Sequence, residues 1–307
     1  MVEDSIYARI IVNPAAGAGK TGKYWPDIKS VLKKVGLRFE HDITEAPGHA
    51  IELAKNAVKK GYRIVVPVGG DGTINEVVNG IYSSGSVQDV SMGIIGTGTG
   101  GDYIRTIGVP RNFHDACERL VNHPTKMNVD LGAVEHFKNG HREIRLFANF
   151  AGIGFDAEVV RATTVRFKKL GGFPSYLAGL LTTLVRYHNQ PVMMTTDGKK
   201  EERKVCTAIM SIGKYGGGSM LIAPNADIQD GLFDVVVVGN VSKPDLLVSF
   251  PRIYKGTHLT HPKISVQRAR EVEIISQKGI ALQADGELIG ESPARFSILP
   301  AAMTLIV

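Results

Sequence analysis

Apolar residues follow two rhythms along this chain. Up to about Asn122, short apolar runs alternate with stretches of helical spacing. Ala8–Val12, Phe39–Ile43, Ile64–Val68 and Ser91–Ile95 read as strands. Asp27–Val35, His49–Lys60 and Phe113–Asn122 read as helices, the first two stopped by Gly36 and Gly61. Ile74, Val77, Val78 and Ile81 recur at i, i+3, i+4 and i+7, so another helix follows the Ile64–Val68 strand directly. Ile107–Pro110 closes a loop. Strands alternating with helices predict a parallel sheet with helices on both faces.

Near Asn128 the rhythm changes to strands separated by turn signals. They are Met127–Leu131, Glu143–Phe150, Val192–Thr196, Lys204–Ser211, Asp234–Val238, Glu271–Ser276 and Ile280–Ala284, and the chain ends on Phe296–Leu299 and Met303–Val307. Helical spacing interrupts them over about Ala157–His188 and Lys243–Tyr254. The pattern predicts an antiparallel β-sandwich. No flexible linker marks the boundary, so two domains sharing a fixed cleft are expected.

The length, 307 residues, suits two domains with real cores. Hydrophobic content of 43% and charged content of 21% are ordinary for a globular chain. Cys117 and Cys206 are far apart, with neither CxxC nor metal-ligand spacing, which fits a reducing compartment. The first residues carry no apolar signal segment. The longest apolar candidate, Tyr176–Val185, is too short to span a bilayer. A cytoplasmic location is therefore expected.

A net charge of +6 and a pI near 9.2 favour polyanions: nucleic acid, anionic membrane or phosphorylated substrates. The most suggestive cluster is Arg161, Arg166, Lys168 and Lys169, followed by the apolar Leu170–Leu181 stretch. It reads either as a solvated helix face or as a membrane-surface contact.

The candidate chemistry lies at the turns. Gly69, Gly70, Asp71, Gly72 and Thr73 lie between the Ile64–Val68 strand and its helix. Unpaired N–H groups and the dipole at a helix N-terminus favour phosphate, and glycines let it come close. The competing reading is a plain βα turn with Asp71 as N-cap. Asn13, Pro14, Ala15, Ala16 and Gly17 follow the first strand, leading to Gly19-Lys20-Thr21. This is no Walker P-loop, because Pro14 stands where the first glycine belongs. A third turn, Gly96 to Asp102, follows Ile95. Three glycine-rich turns at one sheet edge predict a nucleotide site.

The strand-rich half offers carboxylates. Asp227–Asp234 could hold a hard cation or form an Asp-Gly hairpin turn. Asp285-Gly286-Glu287 could likewise be a hairpin, or could carry a base for a hydroxyl proton. His258 and His261, within Thr257–Pro262, read as a surface loop rather than a metal site.

Taken together, these motifs resemble the diacylglycerol kinase catalytic-domain family, in its soluble bacterial lipid kinase branch. Sphingosine kinases belong to the same superfamily, with NAD kinases and phosphofructokinases as more distant relatives. The matching residues are Asn13-Pro14 with Gly17, Gly69–Thr73, Gly98–Asp102, Asp130-Leu131-Gly132, Asn149 with Gly152–Asp156, Pro224–Gly231 and Asp285–Glu287. They run in family order over nearly the whole chain. The resemblance implies an ATP-binding α/β domain over 1–127, a β-sandwich lipid domain over 128–295, and a final segment, 296–307, that returns to the first domain. It implies ATP contacts from Asn13 to Gly17, from Thr44, from Gly69 to Thr73 with Ile74 and Asn75, and from Thr99. It implies Mg²⁺ held by the Asp230 side chain and the backbone oxygens of Asp227 and Leu232, with Asp71 and Asp130 joined through water. Asp285 would be the general base, with Glu287 beside it. Two positions depart from the family: Gly101 replaces the asparagine of its Gly-Thr-x-Asn-Asp turn, and Gly96 replaces a proline.

The expected activity is ATP-dependent phosphorylation of a glycerolipid hydroxyl, as in diacylglycerol or phosphatidylglycerol. The expected partner is that lipid at an anionic membrane surface, met peripherally, with no nucleic acid. A homodimer stays open. The alternatives are a kinase of a soluble alcohol, NAD kinase-like, and a non-enzymatic nucleotide or lipid sensor. Phosphoryl transfer needs positioning and charge neutralisation above all, and glycine turns, a cation and a carboxylate would supply them.

Overall fold

The computed structural model describes residues 7–122, 124–138, 140–165 and 172–307. The chain folds as two compact units, residues 1–129 with 301–307 and residues 130–300.

The first unit runs β1 (Tyr7–Val12), α1 (Lys20–Lys34), β2 (Arg38–Ile43), α2 (His49–Lys59), β3 (Ile64–Gly69), α3 (Asp71–Ser83), β4 (Ser91–Met92), β5 (Ile95–Gly96), α4 (Asp102–Thr106) and α5 (Phe113–Asn122). Its strands are all parallel. β1 lies between β2 and β3, β3 pairs with both β4 and β5, and Thr304 and Leu305 close the far side against β4. Ile10, Val66, Val68 and Ile95 meet Ile28 and Leu32 of α1 in the core.

Helix α1 starts seven residues before the expected Asp27. Pro26 reads as a breaker, yet it sits inside the helix. The expected strand Ser91–Ile95 is two short pieces, and the loop before Ile107 contains α4.

The second unit begins with β6 (Lys126–Lys138), whose first residues belong to the first unit, then β7 (His141–Phe147) and β8 (Phe150–Gly154). Helices α6 (Phe155–Val165) and α7 (Gly172–Arg186) take the place of the single helical insert. There follow β9 (Gln190–Thr196), β10 (Lys199–Val205), β11 (Thr207–Ser211), β12 (Tyr215–Gly216), β13 (Met220–Leu221), β14 (Phe233–Val238), α8 (Lys243–Ser249), β15 (Ile264–Ala269), β16 (Glu271–Ile275), β17 (Ala281–Ala284) and β18 (Glu287–Ile306). One layer runs β15-β14-β11-β8-β17-β18; the other holds β7, β6, β16, β9 and β10 around the same long β18. The Phe147 and Phe233 rings, from β7 and β14, stack at 5.7 Å between strands of the two layers. Gly132 lies opposite Phe147, where a Cβ would fall 2.1 Å from the ring. That fit requires glycine at this position.

Where one strand was expected over Lys204–Ser211, the chain breaks at Cys206. β10 is nearly all charged, Lys-Lys-Glu-Glu-Arg-Lys-Val, so apolar alternation does not reveal it. A left-handed Asp197-Gly198 turn forms it as a hairpin on β9. The helix expected to reach Tyr254 stops at Ser249, and Pro251 opens a 3-10 stretch. The two terminal strands are one, β18.

Candidate active site

In the first unit the three glycine turns come together. Asn13 N donates to Val68 O at 3.0 Å, and Asn13 Nδ2 to Thr73 Oγ1 at 2.9 Å. Thr97 N and Gly98 N both donate to Gly69 O, at 2.8 and 3.2 Å. The Thr21 and Thr97 hydroxyls meet at 2.6 Å. Gly17, Ala18 and Gly19 all take positive φ and deliver the chain straight into α1. The first N–H groups of α1 are satisfied within that turn, Lys20, Thr21 and Gly22 donating to the carbonyls of Gly17, Ala16 and Pro14, so the helix N-terminus suited to an anion is that of α3, after the Gly69 turn.

Glycine is needed for the contacts between turns as well as for an incoming ligand. A Cβ on Gly98 would lie 2.4 Å from Gly70 Cα, and one on Gly17 2.7 Å from Thr97 O. Gly101, the departure from the family turn, has φ +62°. Asparagine is one of the few other residues that visit that left-handed conformation, and glycine takes it without the Cβ that would lie 3.2 Å from Ile104 Cδ1.

Asp71 is not the N-cap of its own helix; Gly70 holds that position. The Asp71 carboxylate reaches across to α4 and accepts from Gly101 N at 3.0 Å and Tyr103 N at 3.2 Å. Sequence reading missed Glu76, one turn along α3. Its carboxylate accepts from Gly48 N at 2.9 Å and Ala50 N at 3.1 Å, capping α2. No local pattern links Glu76 to Gly48, because their contact is purely tertiary. Arg111, also missed, donates to Gly100 O at 3.0 Å.

The expected ATP contacts divide by exposure. Pro14, Ala15, Ala16, Gly17, Gly70, Asp71, Gly72 and Thr99 present surface. Thr44, Gly69, Thr73, Ile74 and Asn75 are buried. Ile74 and Asn75 lie on the inner face of α3, where Asn75 Oδ1 accepts from Asn79 Nδ2 at 3.1 Å.

In the second unit, Asp285-Gly286 is the two-residue turn between β17 and β18, with φ of +47° and +82°. The Asp285 carboxylate accepts three backbone N–H groups: Ala148 at 2.8 Å, Asn149 at 3.0 Å and Phe150 at 3.0 Å. Asp285 N in turn donates to Phe150 O at 2.9 Å. The expected strand through Glu143–Phe150 thus breaks at Ala148-Asn149, where the backbone turns its donors onto this carboxylate. Asn149 Nδ2 donates to Tyr215 O at 2.7 Å, and its buried Oδ1 has no hydrogen-bond partner among the described residues. Glu287 pairs with Arg145 at 2.7 Å.

Asp130, almost fully buried, accepts from Gly231 N at 2.7 Å and donates its own N–H to Ile228 O at 2.8 Å. It therefore holds the Asp227–Leu232 turn directly. Asp230 Oδ1 accepts from Leu232 N at 2.9 Å, and Asp230 Oδ2 forms an ion pair with Arg268. One carboxylate and the carbonyls of Asp227 and Leu232 are hard oxygen donors of the kind Mg²⁺ takes. Arg268 is the competing cation, but its side chain is 51% exposed and can yield to a metal. The residues fit the ion on those terms. Among the described residues no group of three or more His, Cys, Asp or Glu could hold a metal, so water or phosphate would complete the shell.

His258 is buried rather than on a surface loop, with its Nε2 3.1 Å from Ile222 O. Burial also pushes the Cys117 and Cys206 thiols up to about 12, which makes both poor nucleophiles. Of the basic cluster, Arg166, Lys168, Lys169 and Leu170 lie outside the described residues. Arg161 is already paired, with Glu158 and Glu291, each at 3.0 Å. Among the described residues no helix is long and apolar enough to cross a membrane.

Residues 7–134 match the diacylglycerol kinase catalytic domain, and residues 149–307 the YegS C-terminal NAD kinase beta sandwich-like domain. The chain belongs to the diacylglycerol kinase family. A diacylglycerol kinase of Mycobacterium tuberculosis is 31% identical over 306 residues, covering 96% of this chain and 93% of its own. One from Staphylococcus carnosus is 28% identical over 291 residues, covering 94% and 91%. The crystal structure of a Bacillus anthracis protein provisionally assigned as a diacylglycerol kinase superposes with a TM-score of 0.79 at 25% identity, covering 98% of this chain and 95% of that one. The chain is thus a kinase of the diacylglycerol kinase family. Its α/β unit and antiparallel sandwich bear out the fold class expected from the sequence.

Proposed function

We propose that this kinase transfers the γ-phosphoryl group of ATP to a free hydroxyl of a glycerolipid, with diacylglycerol as the first acceptor to test, and that it meets this lipid peripherally at an anionic membrane surface. The observation that carries the nucleotide half is the knitting of the turns at Asn13–Gly19, Gly69–Thr73 and Thr97–Gly101 into one glycine-lined edge. The N-terminus of α3 there offers backbone N–H groups to phosphate. Relatives named diacylglycerol kinase support the lipid half.

In this reading the exposed Pro14–Gly17 and Gly70–Gly72 backbone holds the phosphates. Asp285 takes the proton of the attacking hydroxyl, its carboxylate aimed by the amides of Ala148, Asn149 and Phe150. Glu287 keeps Arg145 beside that turn. Asp230, with the carbonyls of Asp227 and Leu232, would hold Mg²⁺, and Asp130 would keep their turn in shape. When bound, Mg²⁺ neutralises charge on the transferring phosphoryl group.

The test uses labelled ATP, Mg²⁺ and vesicles carrying diacylglycerol. Labelled phosphatidic acid is expected, and chelation should abolish it. Asp285→Asn should lower kcat by roughly 10²–10⁴-fold while ATP still binds. Label on a soluble alcohol such as NAD and none on any lipid would replace the lipid reading. ATP binding without transfer to any acceptor would favour a sensor.

A further inference from the structure

The Asp285 carboxylate is aimed from one side by the β7–β8 backbone. The other half of its turn, Gly286, is held by a buried side-chain chain. Gly286 N donates to Gln283 Oε1 at 2.9 Å. Gln283 Nε2 donates to Asp156 Oδ2, also at 2.9 Å, and Asp156 Oδ1 meets Thr207 Oγ1 at 2.6 Å. Gln283 and Thr207 are both buried. A break in the β17–β18 register falls between Leu282 and Gln283. Such bulges re-aim side chains beside functional turns.

The sequence makes room for this chain of bonds. Gly152 lies opposite Gln283 on β8. A Cβ there would fall 1.8 Å from Asp156 Oδ2 and 3.0 Å from Gln283 Nε2. The glycine and the aspartate of the Gly152–Asp156 motif therefore serve one arrangement, the first leaving the space that the second fills. The amide of Gln283 has one workable orientation. Its oxygen must face the Gly286 N–H, so its NH₂ must face Asp156.

Proton counting at Thr207 describes the far end. Its hydroxyl has one proton and two acceptors in reach, Asp156 Oδ1 and Ile153 O at 3.1 Å. A neutral Asp156 that donates to Thr207 Oγ1 frees the threonine proton for Ile153 and still accepts from Gln283. Burial raises the Asp156 pKa, against the hydrogen bonds from Thr207 and Gln283, which lower it. Its titratable neighbours Tyr187 and Cys206 are also held protonated by burial. In either state of Asp156, Gln283 receives the same acceptor.

We propose that Gln283 is a positioning residue for phosphoryl transfer, its amide oriented by Asp156 and Thr207 so that the Asp285-Gly286 turn presents the Asp285 carboxylate at one fixed angle. This rests on Asp285 being the base. Gln283 touches no reacting group and acts through the Gly286 N–H.

The experiment measures kcat, KM for diacylglycerol and ATP-binding stoichiometry of the full-length enzyme, together with hydrogen exchange at the Gly286 amide. Gln283→Met removes both hydrogen bonds at similar volume. It should speed exchange at Gly286 and lower kcat by roughly 10²-fold, the cost of misplacing a reacting group by about an ångström. ATP stoichiometry and KM should stay at the wild-type values, which shows that the folded fraction has not fallen. Gln283→Asn, polar but one methylene shorter, should behave alike and serves if the methionine variant does not fold. Asp156→Leu removes the acceptor of the Gln283 amide and should lower kcat in the same way. Wild-type kcat in a folded Gln283→Met, Gln283→Asn or Asp156→Leu protein would overturn the proposal while leaving Asp285 in place. A fully active Asp285→Asn would instead remove the base assignment, and this proposal with it.

Discussion

Asp285 combines a left-handed backbone with a carboxylate that accepts three amides. The sequence alone suggests that Asp285→Asn would be silent for stability. The structure argues otherwise. The asparagine oxygen can replace one carboxylate oxygen, but its NH₂ then faces an N–H donor. A buried donor left unpaired costs about 1–3 kcal/mol, so activity loss in that variant must be read beside its ATP binding. Gly70 carries a similar warning. Its φ of −102° suits any residue, but a Cβ would already lie 3.3 Å from Gly98 Cα. A larger side chain there disturbs the packing between turns as well as any phosphate contact. His258 gives a prediction in pH. Burial lowers its pKa, so the folded protein keeps the ring neutral while the unfolded chain takes up a proton below about 6.5. Its contribution is present above that value and is lost as pH falls through the folded pKa. The melting temperature should therefore drop between about pH 7 and pH 5, and drop less steeply in His258→Gln. Parallel slopes in the two proteins would show that His258 does not set this dependence.

At the scale of elements, α3 organises its neighbours through its acids. Asp71 caps α4 and Glu76 caps α2, so two carboxylates within six residues satisfy N–H groups on separate helices. Neither α2 nor α4 has a side-chain cap of its own, since Gly48 and Gly101 stand at those positions. The five-residue α4 needs such help, because an isolated helix of that length does not persist in water. Asp71→Ala should then lower the unfolding free energy by about 1–2 kcal/mol with no nucleotide present. Urea denaturation of the ligand-free protein checks this. An unchanged midpoint would make Asp71 a ligand-binding residue without a capping role.

For the whole molecule the open matter is how a kinase proposed to act on lipid reaches a bilayer. Along α7, Leu177, Leu181 and Val185 recur at i, i+4 and i+8 and are 39%, 47% and 71% exposed. That is an apolar stripe facing solvent, close in sequence to Lys168 and Lys169. The stripe and the lysines should act together at a membrane surface. Binding to anionic vesicles should exceed binding to zwitterionic ones and weaken with salt, each basic residue contributing about 1 kcal/mol. Charge reversal at Lys168 and Lys169 should reduce the anionic preference alone. Leu181→Asp with Val185→Asp should reduce binding to both vesicle types. Co-sedimentation across a salt series measures all of these, and equal binding of every variant would assign the docking to another surface.

Much of this protein was legible because its signals are local. Apolar runs, helical spacing and glycine turns mark where strands end and helices begin, and hydrophobic burial enforces those periods wherever the chain folds. The two halves, the three glycine turns and the acidic turns at Asp227–Asp230 and Asp285–Glu287 could all be read this way. The partners of those residues could not. Asp71 reaches α4, Glu76 reaches Gly48, Gly98 makes room for Gly70, and Gly152 makes room for Asp156 and Gln283. These contacts pair residues distant in sequence, and the hydrogen-bond demand of a buried N–H or the absence of a Cβ leaves no trace in a local pattern. The charged strand β10 escaped for the same reason: its turn and its partner β9 hold it, not its own side chains. The sequence by itself thus determined where the chemistry of this kinase can reside. Only the tertiary structure decided which of those residues meet solvent and which support them, because burial and pairing depend on what the rest of the chain brings alongside.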